Sequence, residues 1–188
     1  MVARVILMPL DGGGCRSRDP SRPAGRRPAC HTEPVHPNAE HVARELASLG
    51  VTGQVRELPE PAPTAATAAA QLGCDIGAIA NSLVFDADGA PLLVLTSGAH
   101  RVDTAKVAAN MGVGKLRRAD PGFVNASTGQ RIGGVAPVGH PAPIRTLVDM
   151  ALRSHEVVWA AAGHAHTVFP TTFDELVRIT SGTPADVA

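Results

Sequence analysis

The chain has no tyrosine, one tryptophan and four phenylalanines, so aromatics make up only 3% of its 188 residues. A core built from it must rest on Ala, Val, Leu and Ile. The scarcity excludes a base-stacking platform of the kind that grips single-stranded nucleic acid, which needs several aromatic faces. Lysine is almost missing, with Lys106 and Lys115 alone. Basic and acidic residues balance at 17 each, and a formal net charge of zero argues against a general polyanion binder. The three cysteines, Cys15, Cys30 and Cys74, lack metal-ligand spacing, and an odd number does not make a disulfide framework. Cys74 has no neighbouring His in sequence and reads as a small packed residue rather than a nucleophile. No apolar run approaches the ~20 residues that cross a bilayer. The short run Val5 to Met8, followed by Asp11 to Arg18, does not read as a signal peptide, so a cytoplasmic protein without membrane contact is expected.

An apolar fraction of 44% supports one real core. Residues 1–35 differ from the rest. They hold six arginines, five prolines and Gly12-Gly13-Gly14, and no helical or strand period persists in them. Such a composition buries too little surface to offset its ordering entropy, so a disordered extension is expected, with a basic arm on RNA as the functional alternative. The folded domain is expected over 36–183, with a tail at 184–188. Asn38 is placed to cap a helix carrying Val42, Leu46 and Leu49 on one face, with Gly50 as its stop. Val51 to Leu58 reads as a strand. Thr64 caps an alanine-rich helix ended by Gly73. Asp86-Ala87-Asp88-Gly89 between two apolar runs signals a hairpin. Asp103 to Met111 reads as a helix, and Asp120-Pro121 opens a helical turn. Further strands are expected at Thr146 to Met150, Val157 to Ala161 and Thr167 to Phe169, and Thr172-x-x-Glu175 forms a capping box. The intermixed elements without a βαβ repeat predict an α+β fold with a mixed, mostly antiparallel sheet.

The stretch from Thr128 to His140 stands out. It carries Gly129, Gly133, Gly134, Gly139 and Pro137 among the β-compatible Ile132, Val135 and Val138. That pattern predicts strand, tight loop, strand, with a loop whose shape is specified and which could wall a ligand site.

Gly133-x-x-x-Pro137 followed by Val138-Gly139 resembles the GxxxP loop of the YbaK/EbsC-type aminoacyl-tRNA editing domains, found also in or beside prolyl-tRNA synthetase. Other blocks agree in order: Asn81 to Phe85, Gly98 to Asp103, Thr146 to Asp149, Ala161 to His164, and the closing segment Phe173 to Gly182. The resemblance spans about 36–183. It implies a curved mixed sheet approaching a barrel, flanked by helices. It implies a trans-acting deacylase that hydrolyses the ester of a mischarged small amino acid on tRNA. The partners implied are the aminoacyl-tRNA acceptor end and a synthetase, and no cofactor is called for. The alternative is an inactive module that binds aminoacyl-tRNA or an aminoacyl-like small molecule.

Ester hydrolysis needs an activated water or hydroxyl, oxyanion stabilisation and a selective pocket. The resemblance assigns catalysis to Asn81, Gly133, Gly134, Pro137 and Asp149, with the loop presenting backbone N–H groups to the ester. It assigns substrate binding to Ser82, Thr96, His100, His140, Gly163 and His164. Many relatives carry lysine where Asn81 stands. Asn offers a donor and an acceptor but no charge. Three readings follow: Asn81 serves a different specificity, a cation such as Arg101 or His140 compensates, or the site binds without hydrolysing. Without the resemblance, Asp149 would be a strand-end acid making a turn or salt bridge, and Asp103 reads as a helix cap in either case. Arg101, Lys106, Arg131 and Arg145, with Lys115, Arg117 and Arg118 nearby, could hold tRNA phosphates if they share a face. His164-x-His166 on one strand face would suit zinc with a third ligand, but none stands at a diagnostic spacing, so no metal is expected.

Overall fold

In the computed structural model the described residues are 36–188. The Arg/Pro/Gly-rich stretch 1–35, with Cys15 and Cys30, lies outside them. Helix α1 covers Pro37–Ser48 and buries Ala39, Val42 and Leu46 along one face. Its cap is His36, not Asn38: Pro37 takes the first helical position, and the His36 ring accepts from the Asn38 N–H at 3.3 Å. The strand expected over Val51 to Leu58 shrinks to β1, Arg56–Glu57, paired with β7 alone. Helix α2 (Ala65–Leu72) is capped by Thr64 and stopped by Gly73, as its sequence predicts.

Strands β2 (Ile79–Ala87) and β3 (Ala90–Ser97) form the central hairpin. Asp88 and Gly89 at its tip both have positive φ, 51° and 91°, the two-residue turn that matches strand twist. Asp103 caps α3 (Thr104–Met111) through two backbone N–H groups. β4 (Leu116–Arg118) follows, and Asp120-Pro121 opens a full helix, α4 (Pro121–Thr128). After a long loop come β5 (Arg145–Asp149), β6 (Val158–Ala161) and β7 (Thr167–Thr171). Helix α5 (Phe173–Thr180) is capped by Thr172, whose hydroxyl accepts from the Glu175 N–H. β8 (Thr183–Ala185) ends the sheet. It pairs in parallel with β5, and Val187 beyond it is fully buried, so the residues expected as a tail are tied into the fold.

The sheet is mixed and open, in the order β1-β7-β6-β2-β3-β5-β8, with β4 attached to β2 off this path. One face carries the main core, where Val84, Leu93, Leu95 and Val148 meet α1, α5 and the loop at Val135 to Val138. The other face packs Phe85, Leu92 and Val94 against α3.

The strand–loop–strand expected around Ile132 to Val138 is not formed. Residues 131–144 run as loop. The apolar side chains Val135, Ala136 and Val138 are buried as a strand's would be, but their backbone is satisfied elsewhere. The Gln130 amide, itself buried, accepts from the Ala136 N–H at 2.7 Å and donates to the Val138 carbonyl at 3.2 Å. A side chain thus takes the bonds a ladder would have made.

A break in the pairing of β2 positions the site. The Gly98 N–H donates to the Ile79 carbonyl, so odd-numbered residues of β2 aim their peptide groups at β3 and even-numbered ones aim outward. On the outward edge β6 pairs with Ile79 and Ala80 only. Pairing resumes where the Ala119 N–H meets the Val84 carbonyl, and β4 continues it from Phe85 to Ala87. Between these two attachments the edge is open at Ser82.

Candidate functional site

A cleft wraps around this open edge. Asn81, Ser82 and Leu83 form its back, and Arg118, Ile132, Gly133 and Val135 its opposite wall. Two lobes extend from the shared wall. The smaller, about 180 Å³, runs between α2 and β6 and is lined by Ala65, Ala68, Ile79, Trp159, Ala160 and His164. The larger, about 530 Å³, runs toward the start of α3 and is lined by Thr96, His100, Arg101 and Thr104.

The glycine loop crosses the edge in a shape its residues dictate. Gly133 has φ +94°, a conformation open to glycine. Gly134 packs so closely on the next turn that a Cβ would lie 2.6 Å from the His164 carbonyl carbon. The Gly134 N–H is bonded to the Arg131 carbonyl, and that of Ala136 to Gln130. The N–H groups of Gly133 and Val135 have no protein acceptor among the described residues, and both residues line both lobes. Donors available at a cleft wall are what an oxyanion requires.

In the larger lobe the decisive group is Asp149, 2% exposed. Its Oδ2 accepts from Thr96 Oγ1 at 3.2 Å, the Ser97 N–H at 3.0 Å and His100 Nδ1 at 2.9 Å, while Oδ1 accepts from the Ala151 N–H. Asp149 does not itself line the cleft. Its contact with Nδ1 fixes the orientation of the His100 ring at the larger lobe. Asn81 lies opposite Thr96 in the hairpin, on the face away from the glycine loop. Its side chain makes no hydrogen bond among the described residues.

His164 lines the smaller lobe in a turn, not a strand. Its ring stacks between His36, 4.3 Å away, and His166, 5.3 Å away. Burial, then His36 and His166, push its pKa below 6.5, against a weaker pull from Glu57. Stacked rings face one another rather than converge. No group of three or more His, Cys, Asp or Glu among the described residues could hold a metal ion.

The structure brings Asn81, Ser82, Gly133, Thr96, His100, Arg101 and His164 to one cleft, with Gly134 and Asp149 directly behind it. Others lie elsewhere. Pro137, His140 and Arg145 border a different depression, beside α1 and α5. His140 Nε2 bonds the Ala136 carbonyl at 3.0 Å and so supports the loop from behind. Burial lowers its pKa, partly offset by that bond. Gly163 is pressed against the Asn38 carbonyl of α1. Lys106 pairs with Asp186 at 2.7 Å, and Arg131 is exposed outside the cleft. The four cations singled out for tRNA therefore do not share a wall.

The sequence shows the charge of Arg118 but not its place in the site. Its place follows from β4 pairing with β2, which no local pattern announces. The role of Gln130 is hardly visible in the sequence. Its one signal was a long polar side chain at the head of a glycine loop.

The aminoacyl-tRNA editing domain family matches residues 59–179. The chain belongs to this family. The editing domain is 30% identical over 123 residues to YwhH, an uncharacterised protein of Bacillus subtilis, an alignment covering 65% of this chain and 78% of that one. It is 29% identical over 76 residues to the proline–tRNA ligase of Lysinibacillus sphaericus, covering 40% of this chain and 13% of the ligase. Its fold matches the crystal structure of a candidate trans-editing enzyme for prolyl-tRNA synthetase with a TM-score of 0.77 and 38% identity, covering 81% of this chain and 98% of that one. These likenesses tie the chain to aminoacyl-tRNA editing in general. No helix among the described residues is long and apolar enough to cross a membrane.

Proposed function

We propose that this editing domain is a trans-acting deacylase that hydrolyses the ester between a mischarged small amino acid and tRNA. The observation that carries the reading is the two-lobed cleft at the open β2 edge, with free loop N–H groups at its centre. The smaller lobe is walled by alanines and Trp159, a space suited to a short apolar side chain. The larger has room for the terminal nucleoside. Arg101 and Arg118 line it without a carboxylate partner among the described residues, and suit the adjoining phosphates. Asp149 acts through His100. With Nδ1–H held by the carboxylate, Nε2 can accept a proton from water or from the ribose hydroxyl that attacks the ester. The loop N–H groups of Gly133 and Val135 would meet the oxyanion.

The second reading, a binding module, rests on Asn81, which brings no cation to the position where the resemblance implies lysine in many relatives. Asn81 lies on the face away from the glycine loop, however, so the exchange does not count against catalysis. Arg118 supplies charge at the same wall and supports catalysis instead.

The test is amino acid release from a panel of mischarged tRNAs by wild type, Asp149→Asn and Asn81→Lys. Turnover by wild type is expected, with a fall of ~10²-fold or more in kcat for Asp149→Asn, the scale of one general base. No turnover on any substrate with tRNA binding retained would select the binding module. Activity gained only in Asn81→Lys would identify the missing lysine as the reason.

A further inference from the structure

Ser82 is the one outward-facing residue of β2 that lies between the two attachments of the sheet edge. Ala80 before it is in the ladder with β6, and Val84 after it accepts from Ala119. Its peptide N–H and C=O both point into the cleft and have no strand partner. Its hydroxyl is in the same position: Ser82 Oγ is buried and is the only such side-chain atom without a hydrogen bond among the described residues. Buried polar groups are nearly always paired, and leaving one unpaired costs about 1–3 kcal/mol. Three unpaired groups on one residue, at the wall common to both lobes, mark a place where a ligand completes the pairing. A nucleophilic serine is not indicated, because Oγ has no base within hydrogen-bonding distance.

The geometry points to the chemical group that fits. In an antiparallel ladder, two facing residues exchange both bonds, each donating its N–H to the other's carbonyl. An α-aminoacyl ester carries the same pair of groups on one Cα, an ammonium donor and a carbonyl acceptor. We propose that the aminoacyl group docks on Ser82 as the missing rung of the sheet. Its α-ammonium donates to the Ser82 carbonyl, its ester carbonyl accepts from the Ser82 N–H, and Oγ adds a further hydrogen bond. The side chain then enters the smaller lobe and the ribose the larger. Ser82 is thereby a substrate-positioning residue that reads the α-amino group itself. An acyl ester without that group would leave the Ser82 carbonyl unpaired.

This inference rests on the deacylase reading, and the experiment separates the two. The probes are 3′-amino-3′-deoxyadenosine acylated with alanine and with propionic acid, stable amides that differ only in the α-amino group. Backbone amide NMR of the full chain reads binding. The alanyl probe is expected to shift the Ser82 amide together with Gly133 and Val135. The propionyl probe is expected to bind about tenfold more weakly, the loss of one charge-assisted hydrogen bond. Ser82→Ala keeps the peptide groups, so it should bind more weakly yet retain the preference for the alanyl probe. Its spectrum also reports whether the variant is folded. If the alanyl probe binds while the Ser82 amide stays still, or if both probes bind equally, the rung assignment is wrong and the deacylase reading survives. If wild type releases no amino acid from any charged tRNA and neither probe shifts any amide, the deacylase reading fails and the Ser82 assignment falls with it.

Discussion

Gly133 and Gly134 sit side by side for different reasons, and substitution separates them. At Gly133 an added Cβ meets nothing within 4 Å, so Gly133→Ala pays only for its backbone angle, about 1–3 kcal/mol. At Gly134 the same methyl would collide with the His164 Cα and carbonyl carbon, which are backbone and cannot step aside. Gly134→Ala is expected to lift the loop from the turn and, on the deacylase reading proposed above, cut turnover more than its stability loss explains. Urea midpoints and kcat/KM measured on both variants check this; equal activity at equal stability would refute the distinction. The sequence marked both glycines as specified but not why. Their identity was visible in the string. The partner that makes Gly134 indispensable lies thirty residues away, and nothing local names it. Asp149 was legible in a similar, partial way. Its position matched the resemblance, whereas three of its four donors come from the stretch Thr96 to His100, brought to it only once β3 and β5 lie side by side.

Elements whose instructions are local came out as read, the cap of α1 excepted. Thr64, Asp103, Asp120 and Thr172 each accept from an N–H two or three residues on, and Asp88-Gly89 turns its hairpin. Elements whose instructions are distant did not. Ile132, Val135 and Val138 have a strand's composition, yet Gln130 captures the backbone that a strand would share. β8 is the reverse case. Three residues with a proline gave no strand signal, and only parallel pairing to β5 makes them one. Its contribution can be measured through Val187, which is fully buried against the face carrying Val94 and Leu147. Val187→Ala is expected to destabilise the fold by roughly 2 kcal/mol. Chemical denaturation reads it, and a neutral result would show that the Val187 anchor beyond β8 is dispensable.

Across the whole molecule, His140 and His164 tie stability to pH. His140 and His164 both hold pKa values below 6.5 in the fold, chiefly through burial. Unfolding restores the ordinary value, so below about pH 6.5 the unfolded chain binds more protons. Stability is therefore full above that pH and is lost as pH falls through the lower folded values. Urea midpoints should drop between pH 7.5 and 5.5, and His140→Gln should flatten the drop. A wild-type midpoint unchanged over this range would contradict the burial of a neutral imidazole behind the loop.

The opening in β2 has a consequence for how such a protein can diverge. The smaller lobe is furnished by α2, β6 and the turn at His164, the larger by the start of α3 and its preceding loop. Apart from the shared wall, the two are inherited in separate stretches of chain. Mutations that enlarge or fill the alanine-lined side leave the other side's furniture untouched. New substrate preferences can accumulate on one flank by single exchanges while the exposed peptide between them, fixed by backbone rather than by any side chain, passes unchanged from one descendant to the next.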